Sequence, residues 1–336
     1  MELQAQLRAG KITPHEAIQS RLQNGSLDIE TARQCLMEHN VRDIYVKRKD
    51  RAKLQQSSGV IAGPILDWLW KDNTRWVTII CGQDLDFQEV LSYHLAREGL
   101  EQWMVKLLST ELPPHVTHLI PIDRRLAWRG LLFRSLIRGV AFVAPPNCAD
   151  RPIDLYSQMA DAKMAAKAVS RNFPRHPLLS LTLWPSMLLL RSILCYKRRY
   201  NTSPQKFERF MEAFQDSRAR TEGDDYRLTL VELKLYHPTQ PTADDVLSLC
   251  KEDEGYCNPG QMYREVQQAP RSGAQFQRML RQGISVLRMQ GRDSDAEWLC
   301  AYASQFLGMK EPHIRSSSKE SKRSGFIAPI NKVKIT

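Results

Sequence analysis

Apolar residues return along this chain at helical spacing, and each amphipathic run opens on a helix-start signal and closes on Gly or a polar break. The first two units are near-duplicates. Leu7, Gly10, Ile12, Thr13 and Ala17 recur in kind as Leu22, Gly25, Leu27, Asp28 and Ala32, about 15 positions on. Thr13-Pro14-His15-Glu16 reads as a capping box with Pro at the first helical position, since the Thr13 hydroxyl can accept from a free amide while Glu16 reaches back. Asp28 caps the next helix, along which Ile29, Ala32, Leu36 and Met37 share a stripe. Phe87, Val90, Leu91 and Leu95 form a stripe that ends at Gly99, and Leu100, Trp103, Met104, Leu107 and Leu108 form the next.

Leu126 to Ile137 is apolar nearly all round, which predicts a helix enclosed by its neighbours. Asp154 to Arg171 is Ala-rich, with Leu155, Met159 and Met164 directed inward. Ser203-Pro204 opens a helix with Phe207, Phe210, Met211 and Phe214 on one face. Phe276–Met289 and Ser294–Leu307 make a last pair, in which Ser294 to Glu297 reads as a second capping box. Trp128, Trp70, Trp103, Trp298 and Phe210 all fall on apolar faces, where large rings serve as packing anchors.

Two segments read as short strands. Trp76–Ile80 is β-branched and aromatic, and Ala141–Pro146 precedes the Pro145-Pro146-Asn147 break. Glu222–Tyr236 fits either state: Tyr226, Leu228 and Leu230 alternate, while Leu228, Val231 and Leu235 have helical spacing.

The fold expected is mainly α: stacked helical hairpins in an irregular α-solenoid-like array, with at most one or two short strands and a disordered basic C-terminal tail. Stacking follows because a lone hairpin cannot bury its apolar stripe. The competing architecture is an α/β domain using both strand segments in a sheet. The expected divisions are 1–146 and 147–309, both helical, and a flexible tail over 310–336 that is rich in Ser and Lys. The pairing of helices by short turns resembles that of tetratricopeptide and pentatricopeptide proteins. The spacing is irregular, however, and no consensus of a fixed unit of about 34 or 35 residues is recoverable, so no family follows.

Charge changes the picture more than composition does. The formal net charge of +11 favours acidic partners, whether nucleic acid, an acidic protein or an anionic surface. Lys163, Lys167 and Arg171 recur at i, i+4 and i+8 on one helix face. Lys197, Arg198 and Arg199 crowd a helix end beside Tyr196 and Tyr200. Cations interleaved with aromatics can track a single-stranded backbone and stack its bases. Cations in a last helical turn also simply complement the macrodipole. Arg125 and Arg129 lie on a different side of their helix from Arg134 and Arg138, so that segment offers no single phosphate-binding stripe.

No motif specifies a reaction, a cofactor or a metal. Gly10-Lys11 lacks both the upstream Gly and the following Ser or Thr of a phosphate loop, and the glycine signatures of dinucleotide enzymes and hydrolases do not occur. His115 and His118 are two imidazoles without further ligands nearby in sequence. Glu252, Asp253 and Glu254 sit beside Gly255 and read as a solvated turn.

Seven scattered cysteines (Cys35, Cys81, Cys148, Cys195, Cys250, Cys257 and Cys300) contain no CxxC pair. They read as buried thiols in a reducing intracellular compartment. Glu2 and Glu16 with no apolar core exclude a secretory signal, leaving cytosol or nucleus, or a mitochondrion if a presequence has been removed. The longest apolar stretch, Leu178–Leu190, is shorter than the ~20 residues of a membrane span and is interrupted by Pro185.

The functional expectation is a non-catalytic scaffold or adaptor that binds a protein partner through its helical surface. The alternatives are a basic RNA-binding accessory factor, in an organelle for instance, and an enzyme without a local motif.

Overall fold

The computed structural model describes residues 2–45, 60–81, 84–112, 120, 122–145, 148–169, 176–196, 201–216, 224–255 and 270–307. Among these there are fifteen α-helices and no strand. The chain divides into two compact units, Met1–Pro241 and Thr242–Thr336. The break expected at 146/147 therefore falls inside the first unit. Contacts span it: Arg151 donates to the Ala96 carbonyl at 2.9 Å and to Glu101 at 2.6 Å.

The first unit opens with α1 (Glu2–Arg8), α2 (Pro14–Gln23) and α3 (Ile29–Tyr45). The near-duplication in the sequence is a duplication of turns. Gly10 and Gly25 both take the left-handed conformation, at φ 70° and 62°, where a side chain would be strained. The capping box is complete: Glu16 N–H donates to Thr13 Oγ1 at 3.2 Å, and Thr13 N–H donates to Glu16 Oε2 at 2.8 Å. Asp28 Oδ1 accepts from the Thr31 amide at 2.7 Å and opens α3 in the same way.

The middle of the unit comprises α4 (Ala62–Trp70), α5 (Asn73–Trp76) running into a π-helical turn (Val77–Cys81), α6 (Leu85–Glu98), α7 (Glu101–Leu108) and α8 (Ile122–Val143). Both strand expectations are corrected here. Trp76, Val77 and Ile80 are buried together on one side of a helical turn, and Ala141–Val143 are the last turn of α8. A β-branched run has no edge to pair with when every neighbour is a helix, so burial decided its conformation over propensity.

The unit closes with α9 (Asp150–Val169), a short 3₁₀ turn (Pro177–Ser180), α10 (Trp184–Tyr196), α11 (Pro204–Asp216) and α12 (Asp224–Leu235). The ambiguous 222–236 segment is helical over Asp224–Leu235, with Leu228, Val231 and Leu235 buried as the helical spacing requires.

The enclosed helix anticipated at Leu126–Ile137 is the axis of this unit. α8 packs against α6, α7, the π turn, α9, α10 and the 3₁₀ turn. Trp128, Leu132, Phe133, Leu136, Ile137 and Val140 are buried along it. Consecutive helices close as hairpins (α2 on α3, α6 on α7), but they gather around α8 rather than touching sequence neighbours alone. Two glycines nine residues apart, and so on opposite sides of α8, allow this. A Cβ at Gly139 would lie 2.7 Å from the Ser92 carbonyl on α6, and one at Gly130 would lie 2.8 Å from the Thr182 carbonyl.

The second unit consists of α13 (Asp244–Gly255), α14 (Pro270–Met289) and α15 (Asp293–Leu307). Phe276, Met279, Leu280, Ile284 and Leu287 on α14 are buried, as are Leu299 and Tyr302 on α15 and Val246, Leu249 and Cys250 on α13. α15 starts at Asp293, ahead of Ser294, so the expected second capping box is not its entry. Arg292 sits there instead, donating to Asp295 Oδ2 at 2.9 and 2.8 Å and bonding Asp244 at the start of α13.

Candidate functional site

Of the six basic residues singled out by sequence, Lys163 and Lys167 lie on α9, and Arg171, Lys197, Arg198 and Arg199 fall outside the described residues. Lys167 is exposed. Lys163 is half-buried and donates to the Leu181 carbonyl at the end of the 3₁₀ turn. Arg129 is likewise committed inward. It is 6% exposed, donates to the carbonyls of Leu108 and Thr110 and to Ser180 Oγ, and lies 4.4 Å over the Trp128 ring. Met164 is turned out to solvent, 53% exposed, unlike Leu155 and Met159. His115, His118 and Cys257 lie outside the described residues. Glu252, Asp253 and Glu254 form the last turn of α13 rather than a loop, with Glu252 exposed.

The feature that periodicity did not locate is a groove between α4 and α7. Its construction starts at Glu98, the last residue of α6. The Glu98 carboxylate accepts from the Ile61 and Ala62 amides at 2.9 Å each and from the Gly63 amide at 3.1 Å, so it caps α4 from a distant part of the chain. Gly63 packs close to Leu100, since a Cβ there would meet Leu100 Cδ1 at 3.3 Å. Leu66, Asp67, Trp70 and Lys71 come from α4 and its C-cap, and Trp103 comes from α7; together they line an open cavity of about 240 Å³.

The floor is rigid. Trp70 stacks on Trp76 (ring centroids 5.9 Å apart), which in turn tilts against buried Trp128 at 6.5 Å, so a ladder of indoles connects the groove to α8. The wall is not covered. Trp103 is 45% exposed, with the Lys106 ammonium 5.5 Å from its centroid. On the other side of α4, Arg75 lies 4.4 Å over Trp68, bonds the Trp68 carbonyl at 2.8 Å and pairs with Asp72. The expectation that Trp103 is core is therefore corrected. It sits on the flank of the stripe whose centre, Met104, Leu107 and Leu108, is buried, and α4 covers only part of that flank.

No protein-family model matches this sequence, and no curated protein or solved structure matches it either. The reading of the surface rests on the side chains themselves.

A second polar cluster is sealed inside. His94 on α6 is fully buried, with Nε2 3.0 Å from the Leu36 carbonyl and the His39 ring 5.2 Å away. A carbonyl only accepts, so Nε2 carries the hydrogen directed at Leu36. Burial, helped by His39 and Arg97 and opposed by the Leu36 carbonyl, holds its pKa down to about 3. In the unfolded chain the ring takes its proton near 6.5, so unfolding absorbs a proton between those values. Stability is therefore complete above about pH 6.5 and falls as pH drops below it, by about 2 kcal/mol at pH 5. Urea midpoints at pH 7 and pH 5 check this: His94→Gln, which keeps a donor for Leu36, flattens the difference.

Among the described residues no group of three or more His, Cys, Asp or Glu is placed to hold a metal ion. No described helix is long and apolar enough to cross a membrane. Cys35, Cys195 and Cys250 are buried free thiols, and burial pushes Cys35 up to about 12, far from thiolate reactivity.

Proposed function

We propose that this protein is a non-catalytic helical scaffold or adaptor that binds a protein partner through the α4–α7 groove. The observation that carries the reading is Trp103: a large indole, nearly half exposed, forming the wall of an apolar channel whose floor is continuous with the core. Exposed apolar side chains of this size next to a built cavity mark recognition surfaces. An enzyme reading draws no support from this groove, which is open and supplies a single carboxylate and one lysine as its polar lining. The test is capture with the full chain followed by nuclease treatment. A stoichiometric partner that survives nuclease supports the scaffold, and loss of all capture overturns it.

The RNA reading is favoured by the +11 charge and by exposed Lys167 on the outer face of α9. Changing Lys163, Lys167, Arg171 and Arg198 together to Glu is expected to abolish retention on RNA at moderate salt. Undiminished retention removes those residues from any RNA site.

A further inference from the structure

We infer that the α4–α7 groove takes a short acidic peptide segment of a partner protein, which inserts one large apolar side chain between Trp70 and Trp103 and sets a carboxylate beside Lys71 and Lys106. This rests on the scaffold reading and specifies its partner. The cavity, about 240 Å³, has room for a single large apolar side chain, and its walls, Leu66, Trp70 and Trp103, are apolar. Both cations border the Trp103 wall: Lys71 lines the groove with it, and the Lys106 ammonium lies 5.5 Å from its ring. Lys71 is the C-cap of α4, and Lys106 is in the last turn of α7. Both are exposed, and neither has an ion-pair partner among the described residues.

Lys71 and Lys106 each offset the carbonyl end of their own helix, so an incoming carboxylate meets the ammonium groups and not bare carbonyl dipoles. Asp67 stands one turn earlier on the lip, and it decides between two classes of acidic ligand. A phosphate backbone running along the groove would pass a carboxylate, whereas a peptide can offer Asp67 an amide or a basic side chain and reserve its acid for the lysines. Apolar anchor, acidic flank and helical groove are the standard elements of helix-in-groove or extended-peptide recognition.

The experiment displays the full chain to a random-peptide phage library and titrates the most enriched sequence, labelled with fluorescein, by anisotropy. Enrichment of Leu, Ile, Phe or Trp within a few residues of Asp or Glu is expected. Trp103→Ala should weaken the labelled peptide at least tenfold, and the double variant Lys71→Glu, Lys106→Glu should turn selection toward Lys and Arg. Lys71 and Lys106 are exposed, so the charge reversal keeps the wild-type circular dichroism, and the circular dichroism of Trp103→Ala is the fold control for that half-buried position. No enrichment, or peptides indifferent to Trp103→Ala and to the charge reversal, overturns the inference. So does quenching of the Trp emission by single-stranded RNA that is lost on Trp103→Ala, which would assign the groove to nucleic acid. Self-association lost on the same change would assign it to a second copy of the chain. If Trp103→Ala leaves a nuclease-resistant partner bound, the groove proposal falls while the scaffold reading stands; if the wild-type chain captures no such partner, the scaffold reading itself fails.

Discussion

Gly139→Ala is expected to destabilise the first unit by about 3 kcal/mol or more, lowering its thermal midpoint by roughly 10 °C. The added methyl would stand 2.7 Å from both the Ser92 carbonyl carbon and oxygen, and 2.8 Å from the Tyr93 nitrogen. These are backbone atoms of α6, so no rotamer change relieves the overlap. Only moving α6 away from α8 does, and that pair makes the most extensive helix contact among the described residues. The gain in helix propensity from Gly to Ala, about 1 kcal/mol, is too small to offset it. Gly283→Ala is the control. There the new Cβ meets the Leu299 and Val246 methyls at 3.3 and 3.4 Å, and flexible side-chain ends can yield a few tenths of an ångström. That substitution should stay within about 1 kcal/mol of wild type, with either sign. Thermal unfolding of the two variants side by side separates a backbone clash from a generic effect of filling a helical glycine.

The elements legible in the sequence are those in which local chemistry and tertiary packing agree. Thr13 and Glu16 announce a capping box because both halves of it lie within four residues, and Gly99 announces the left-handed cap that ends α6 for a similar reason. Where the deciding partner is remote, the local signal misleads. Trp76–Ile80 has the composition of a strand, yet it packs as a helical turn because its neighbours are Trp70 and Trp128. The Pro145-Pro146-Asn147 break looks like a boundary, but Arg151 ties the chain across it, and the division lies at Pro241/Thr242.

The candidate groove was hidden for the same reason. Periodicity locates the centre of an apolar stripe, here Met104 and Leu107, but not how far a neighbour covers its edge, and Trp103 lies on that edge. Glu98 gave no hint of its role, since the amides it caps are about 36 residues earlier in the chain. The basic stripe on α9 was legible as a pattern, whereas Lys163's engagement with the Leu181 carbonyl depends on where the 3₁₀ turn docks.

A Glu inside an apolar helical stripe is the other signal that sequence shows without explaining, and it leads to the second large effect. Glu232 lies four residues after Leu228 and beside Val231 and Leu235, and it is fully buried. Its carboxylate faces Arg191 on α10, Nε to Oε2 at 3.4 Å, and Arg191 Nη1 donates to Thr229 Oγ1 at 3.0 Å. The pair docks α12 onto α10. Removing one partner leaves the other charge in a site with little water, as only 14% of the Arg191 side chain is exposed.

Glu232→Ala is therefore expected to cost about 3–5 kcal/mol. Glu232→Gln, which keeps an acceptor without the charge, should cost less, about 1–3 kcal/mol. The double change Arg191→Met, Glu232→Leu should recover most of the loss, because an apolar pair of similar volume needs no desolvation of ions. Urea unfolding of the wild type, Arg191→Met, Glu232→Leu and the double variant closes a double-mutant cycle. A coupling energy near zero, with the double change no more stable than Glu232→Ala, would show that the two charges do not act as a pair. A large coupling that salt barely screens would place the ion pair, rather than surface charge, among the interactions that fix α12.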